Sequence, residues 1–393
     1  MDDEVLSDVD GEASDILKKA DIKRLVFRHA AIRSAVFLGS DDLLATASAD
    51  NSLDIWKLGN FELMKSLKNA GSSISQVRTS SEAKQLVGSG MDGCLYLWDV
   101  SSGQPIWVGE SDFSLLCCDV CSCHDGLIVS GSDMDRTIML WDQRSDQVVH
   151  RVCNLCSGNI SSVEFCPDGT RIAAACTTGP AVIYDLRSQS RTLRLDDDSV
   201  YISDLAFSKD GRNLLTTAMN GRVGFFDLAS GAYRLGTHRS SLDSTIDIPA
   251  CYTCCHFSNS QLNMFACGAT DGSIRLWDGW TRELVLQTTG HLSIVTNCQF
   301  SPSDKSLLTT YADGKGQLTL WNLDELAKMR KWRRYEKMAR RKVGNENCCG
   351  RHIHHVLANL LPLIILSWSR LDYCSTSELT FLGSAFHLPS HEK

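Results

Sequence analysis

The chain is built on a repeat. A short apolar run closing on an aromatic residue recurs seven times, as Ile55-Trp56-Lys57, Leu97-Trp98-Asp99, Leu140-Trp141-Asp142, Ile183-Tyr184-Asp185, Phe225-Phe226-Asp227, Leu276-Trp277-Asp278 and Leu320-Trp321-Asn322. Successive aromatic positions lie 42, 43, 43, 42, 51 and 44 residues apart. Such a period means repeated units of one kind. The clearest copy, Met264 to Asp278, reads as two strands joined at Thr270-Asp271-Gly272, where Asp can bond its own backbone and Gly can take positive φ. First strands are expected at Ile32–Leu38, Ile74–Thr79, Leu115–Cys121, Ile160–Cys166, Ile202–Ser208, Tyr252–Ser258 and Val295–Ser301. Second strands are short and rich in small residues, and third strands carry the aromatic, read as a wedge between units.

Seven Trp-Asp-like endings in register resemble the WD-repeat family over roughly Ile22 to Asn322. The resemblance implies an all-β, seven-bladed propeller of four-stranded antiparallel sheets around a central channel. It implies a scaffold for binding and leaves the partner unnamed. Family repeats often carry a Gly-His whose His bonds the Asp of the second turn, in a network tied to the Trp. The last repeat has the set Gly290, His291, Asp313 and Trp321, and the first has His29, Asp50 and Trp56. The middle repeats lack the His, so those blades are expected to be held by packing alone. The His291 network reads as structural, because catalysis would need a nucleophile and an orienting partner beside it.

The seventh repeat stops after its third strand. Ile22 to Phe27, IKRLVF, alternates apolar and basic residues and is expected to supply the missing fourth strand, removing two sheet edges. The expected organisation is an acidic disordered tail over 1–21, a propeller over 22–322 closed by the strand 22–28, a basic amphipathic helix over 323–342 and an irregular tail over 343–393. At 393 residues and 43% apolar, the chain can bury a sizeable core. A net charge of −8 argues against a general nucleic-acid binder. The acidic start does not resemble a secretory signal. With 17 cysteines, an odd number, the chain is expected to hold reduced, buried thiols in the cytoplasm or nucleus.

Several segments depart from the repeat. Gly236 to Ala250 lengthens one repeat and is expected to form a surface loop. Leu323 to Lys342 holds nine bases against three acids, with Leu326, Met329, Trp332 and Tyr335 at three-residue spacing. Its Lys331, Arg333, Arg334, Arg340 and Arg341 form a candidate basic site for an acidic partner, nuclear import or RNA phosphates. Val356 to Trp368 is too short to span a membrane. Cys348, Cys349, His352, His354 and His355 lack a regular metal-ligand spacing. Cys117, Cys118, Cys121, Cys123 and His124 fall on a first strand and its turn and read as buried thiols. No cofactor is expected.

No nucleotide loop, metalloprotease helix or nucleophile elbow is present, so the sequence reads as a non-catalytic scaffold for other proteins. An alternative rests on Trp141-Asp142-Gln143-Arg144 and Tyr184-Asp185-Leu186-Arg187. These resemble the Trp-Asp-x-Arg motif of substrate receptors that dock on cullin-4 ubiquitin ligases through a propeller adaptor. Both arginines are expected on one rim, in adjacent blades. The bland alternative is a local pairing with Asp142 or Asp146, a solvated contact of ~0–1 kcal/mol.

Overall fold

The computed structural model describes residues 23–26, 31–67, 70–124, 126–145, 147–195, 201–230, 232–235, 251–259, 263–288, 293–314 and 316–323, with 23–26 and 232–235 as backbone only. The acidic tail, the 236–250 loop, the basic segment beyond Leu323 and the C-terminal tail lie outside the described residues, as do His29, Gly290 and His291.

Each repeat becomes one antiparallel sheet. Blade 1 comprises Ile32–Phe37, Leu43–Ser48, Leu53–Lys57 and Glu62–Leu67, paired in chain order. Blades 2 to 6 copy that plan, giving inner strands Ile74–Thr79, Leu115–Val120, Ile160–Phe165, Ile202–Phe207 and Tyr252–Phe257. Blade 7 has Val295–Phe300, Ser306–Tyr311 and Gln317–Asn322, and its fourth strand is Lys23–Val26. That strand runs antiparallel to the third, with Lys23 opposite Leu320 and Val26 opposite Gln317. The chain therefore forms an all-β, seven-bladed propeller, and the described residues contain no helix.

The core lies between blades, where apolar faces of adjacent sheets meet. Trp98 of blade 2 sits with Val36, Leu53 and Ile55 of blade 1. Trp141 of blade 3 sits with Val87, Leu95 and Leu97 of blade 2, and Trp277 of blade 6 with Phe225 and Leu215 of blade 5. The aromatic is thus an inter-blade wedge turned toward the preceding blade. Burying a large ring on both sides explains why third strands are apolar nearly throughout, with Trp98 and Trp141 fully buried.

The Asp after the aromatic ends the third strand and caps the turn that follows. Asp142 accepts the Arg144 amide at 3.0 Å, Asp185 those of Arg187 and Ser188 at 2.9 and 2.8 Å, and Asp278 those of Trp280 and Thr281 at 2.7 and 3.0 Å. The carboxylate satisfies amides that the ladder leaves unpaired.

Candidate functional site

The propeller offers three places for chemistry: the channel wall and two faces. The inner strands build the wall. In all seven, register slips by one residue between the first and third positions, as between Ile32 and Ser34 or Ile202 and Asp204. The bulge turns the next polar side chains toward the neighbouring blade.

There they form a closed ring of hydrogen bonds. Ser34 accepts the Val77 amide at 3.3 Å, Gln76 Oε1 that of Cys118 at 2.9 Å, and Asp119 Oδ2 that of Phe165 at 2.7 Å. Glu164 Oε2 accepts the Phe207 amide at 2.8 Å, Asp204 Oδ2 that of Cys255 at 3.0 Å, and His256 Nδ1 that of Phe300 at 3.5 Å. Gln299 Oε1 closes the circle on the Phe37 amide at 3.0 Å. At the bulge itself, Ser75, Ser161, Ser203 and Thr253 hydroxyls donate to carbonyls of the next blade at 2.5–2.7 Å. The sequence reading missed this ring. Its trace is a polar residue at the third or fifth position of each first strand.

The ring concentrates charge. Arg78 approaches Asp119 at 3.8 Å, and Glu164 and Asp204 complete a group of three carboxylates around one guanidinium. Burial raises all three carboxyls: Asp119 to about 6 against the pull of Arg78, Glu164 well above its usual range, and Asp204 upward. Burial, with Arg78 adding to it, lowers His256 to about 4. Every carboxylate here holds a backbone amide of the next blade, so the group works as a joint between blades. Asp204 also takes the Ser162 hydroxyl at 2.8 Å.

The aromatic networks are more varied than expected. Trp56 donates its indole N–H to Thr46 and Trp321 to Thr309, both at 2.9 Å. Asp50 accepts from the Ser52 amide and hydroxyl within its own turn, and Asp313 lies in the corresponding turn of blade 7. Blades lacking the His are not held by packing alone. Trp141 bonds Ser130 at 2.8 Å, and in blade 2 Tyr96 donates to Asp92 at 2.6 Å while accepting the Gly71 amide at 2.8 Å. A hydroxyl on the second strand, or a Tyr on the third, can do this work without the His. Of the cysteine group on blade 3, Cys117, Cys118 and Cys121 are buried, and burial raises each thiol. Cys123 is exposed and donates to the Pro167 carbonyl at 2.9 Å.

Arg144 and Arg187 follow the third strands of blades 3 and 4, on the face where third strands end. The Arg144 guanidinium folds back onto Asp142 in a two-pronged pair of 2.9 and 2.7 Å, and its side chain is 79% exposed. That pairing draws Asp142 down to about 2. Arg187 is exposed, and its charge acts on Asp185 in the same turn. Trp141 and Tyr184 themselves are buried. Asp146 lies outside the described residues, as do Lys331, Arg333, Arg334, Arg340 and Arg341. The turn between the second and third strands of blade 3, residues 133–137, is one residue longer than its counterpart 49–52 in blade 1, and Arg136 within it takes φ 57°.

Apolar side chains stand exposed on both faces. Phe113, Met134, Tyr201 and Ile294 lie where inner strands begin, and Met134 is 68% exposed. Phe61 and Trp280 lie on the opposite face, and Trp280 is 71% exposed. Among the described residues, no helix is long and apolar enough to cross a membrane.

Comparison with known proteins places this architecture. The family described as WD domain, G-beta repeat matches residues 22–57, 61–99, 103–142, 188–227, 241–278 and 282–322, more than half of the chain. The chain is 20% identical over 287 residues to the WD repeat-containing protein 26 homolog of Arabidopsis thaliana, covering 72% of this chain and 47% of that protein. It is 26% identical over 270 residues to the guanine nucleotide-binding protein subunit beta of Oryza sativa subsp. japonica, covering 63% and 69%. It is 27% identical over 202 residues to the pre-mRNA-processing factor 19 homolog 2 of Arabidopsis thaliana, covering 50% and 30%. The chain spans about half the length of the first of these relatives. The family pattern passes over residues 143–187, which hold the outer strand of blade 3 and the first three strands of blade 4 with Tyr184 in the aromatic place, yet the structure pairs them like the others. With six repeats matched and the seventh supplied by the fold, the chain belongs to the WD domain, G-beta repeat family.

Proposed function

We propose that this protein is a non-catalytic scaffold that holds other proteins on the faces of its ring. The observation that carries the reading is the exposure of large apolar side chains on loops anchored by rigid strands. Phe113 and Met134 stand on one face of blade 3, and Trp280 stands on the other face at blade 6. Exposed apolar groups on a fixed frame suit partner contact, since little loop entropy is lost on binding. The polar groups of the channel are occupied in joining blades. A relative named as a subunit of a larger protein, the rice beta subunit, fits the same reading.

The test separates the faces. Tagged wild type, Phe113→Ser plus Met134→Ser, and Trp280→Ser are compared for co-purifying chains after their melting curves are matched. Partners lost from one variant and kept by the other support a scaffold with assigned faces. A protein that retains no partner in wild type, or the same partners in both variants, overturns the assignment.

A second reading, a substrate receptor of a cullin-4-type ligase, draws support from Arg187, whose guanidinium is exposed on the same rim as Arg144. It predicts co-purification with the ligase adaptor that is lost in Arg144→Ala plus Arg187→Ala. A complex that never forms, or that survives both changes, removes this reading.

A further inference from the structure

The circumference of the ring offers a site that lies on neither face. It is a cleft between the outer strand of blade 2, Pro105–Glu110, and that of blade 3, Val148–Val152. Its volume is about 440 Å³, and Val108, Glu110, Trp141, Gln147, Val148 and Arg151 line it. The two blades are tied beside it. Trp107 donates its indole N–H to the Ser145 carbonyl at 3.1 Å, and its ring meets that of Trp141 edge-on at 5.8 Å. Gly109 permits this approach, since a β-carbon there would stand 2.3 Å from the Trp107 ring and 2.7 Å from that of Trp141.

One wall has an uncovered edge. Pro105–Glu110 pairs with the third strand of its blade, and no strand lies beyond it among the described residues. Ile106 and Val108 are 51% and 42% exposed, and the only charge on the strand is Glu110 at its end. The outer strands of blades 1 and 4 are guarded by bases, as exposed edges usually are. Lys65 of blade 1 reaches the Ser101 carbonyl at 2.6 Å, and the blade 4 strand carries Arg191 and Arg194. Pro105 withholds one N–H at the start and leaves the rest of its strand able to pair.

The other wall sets the chemistry. Val148 stands opposite Trp141 and Arg151 opposite Met139, with Val149 as the extra residue of a bulge. Val148 and Arg151 therefore share a face, and both line the cleft. Their partners are two residues apart on the third strand, which sets them about 7 Å apart along the cleft. The Arg151 side chain is 48% exposed and lies 3.9 Å from Asp112, at the limit of an ion pair. A carboxylate entering the cleft can meet it at closer range.

We propose that this cleft receives an extended segment of a partner protein, which adds as a strand to Pro105–Glu110. The segment directs an apolar side chain to Val148 and a carboxylate, two residues away, to Arg151. Backbone pairing supplies the hold, and the two side chains supply the selectivity. Strand addition also covers Ile106 and Val108. The site uses none of Phe113, Met134 and Trp280, so it stands or falls apart from the face contacts.

The experiment selects short random peptides displayed on phage against the immobilised full chain. The leading sequence is then synthesised with a fluorophore and titrated by anisotropy. Enriched peptides should carry Asp or Glu two residues from Val, Ile or Leu. Arg151→Glu should weaken binding at least ~10-fold, and Lys in place of the peptide carboxylate should restore it. Val108→Lys, which charges the edge, should abolish binding, whereas Phe113→Ser plus Met134→Ser and Trp280→Ser should leave it unchanged. Amides within Pro105–Glu110 should slow their hydrogen exchange when the peptide binds. Val108 and Arg151 are exposed, so both variants should melt near wild type. Selected peptides without the apolar and acidic pair, binding that survives Arg151→Glu, or unchanged exchange along Pro105–Glu110 overturns the proposal. So does a dimer of the full chain that Val108→Lys dissolves, which would give the edge to a second copy.

Discussion

Blades 3 and 4 are neighbours built to the same plan with different centres. In blade 3, Ile128 stands opposite Trp141, and the indole N–H reaches Ser130. In blade 4, Ile172 stands opposite Tyr184, and Ala174 occupies the place of that serine. No hydroxyl waits there for a ring N–H. The Tyr184 hydroxyl instead crosses to His150 on the outer strand of blade 3, at 3.1 Å, with the two rings stacked 6.3 Å apart. One centre is tied within its own sheet, the other to the sheet before it. Both blades keep four strands in the same register. The Trp-Asp pattern is therefore one way of filling the wedge and is not a condition for forming a blade. Apolar faces of the right spacing suffice, because each sheet is completed by burial against its neighbours.

The strongest challenge to this comparison is removal of the rings. Trp141→Ala should cost about 3–5 kcal/mol in urea unfolding, since it opens a cavity in a fully buried wedge. Tyr184→Ala should cost less, because the phenol is the smaller ring and is 6% exposed where Trp141 is wholly buried. Equal losses would mean that the two centres carry equal weight. Next in size, Ser130→Ala strands the Trp141 N–H in the core and should cost about 1–3 kcal/mol. Tyr184→Phe gives up only a half-buried bond to His150, for about 0.5–1.5 kcal/mol. If Tyr184→Phe proved the costlier of the two, the cross-blade bond would be the principal tie of blade 4.

A subtler difference separates channel from rim. Burial raises Asp119 to about 6 and raises Glu164 well above its usual range, so the folded protein binds more protons than the unfolded chain between pH ~4 and ~6. Their contribution is greatest below the unfolded values and is lost as pH rises through the folded ones. Melting temperatures from pH 4.5 to 7 should therefore fall less steeply in Glu164→Gln, which keeps an acceptor for the Phe207 amide, than in wild type. Asp142 on the rim acts in the opposite sense. Arg144 holds it at about 2, and its effect is lost only under more acidic conditions. A variant whose slope matches wild type would show that Glu164 does not titrate in this window. The smallest effect is expected of Arg144→Ala, whose exposed pairing should leave the melting temperature unchanged.

Much of the architecture was legible in the chain. The aromatic spacing foretold seven sheets, and Asp-Gly turns and apolar runs located the inner strands to within about a residue. These features are local: turn chemistry and strand pattern act over a few residues, and the period repeats them. The pairing of Arg144 with Asp142 was legible for the same reason, the partners being two residues apart. The expectation that His-poor blades rely on packing failed because Ser130 and Tyr96 substitute by other routes. Those routes depend on register across a sheet.

By itself the sequence determined the number of units, their strand content and the wedge positions, since backbone propensity and hydrophobic period need no distant partner. Only the closed ring decided what meets between blades. At the closing seam between blades 7 and 1 the Gln299 side chain finds an amide 262 residues away, and Gln76, Asp119, Glu164 and His256 each find one 42 to 46 residues away. Asp204 reaches farther, 51 residues, across the lengthened repeat. The contact of Tyr184 with His150 arises in the same way. Such bonds carry no local signature, because the geometry that makes them exists only after neighbouring sheets have packed and the bulges have turned their polar groups outward.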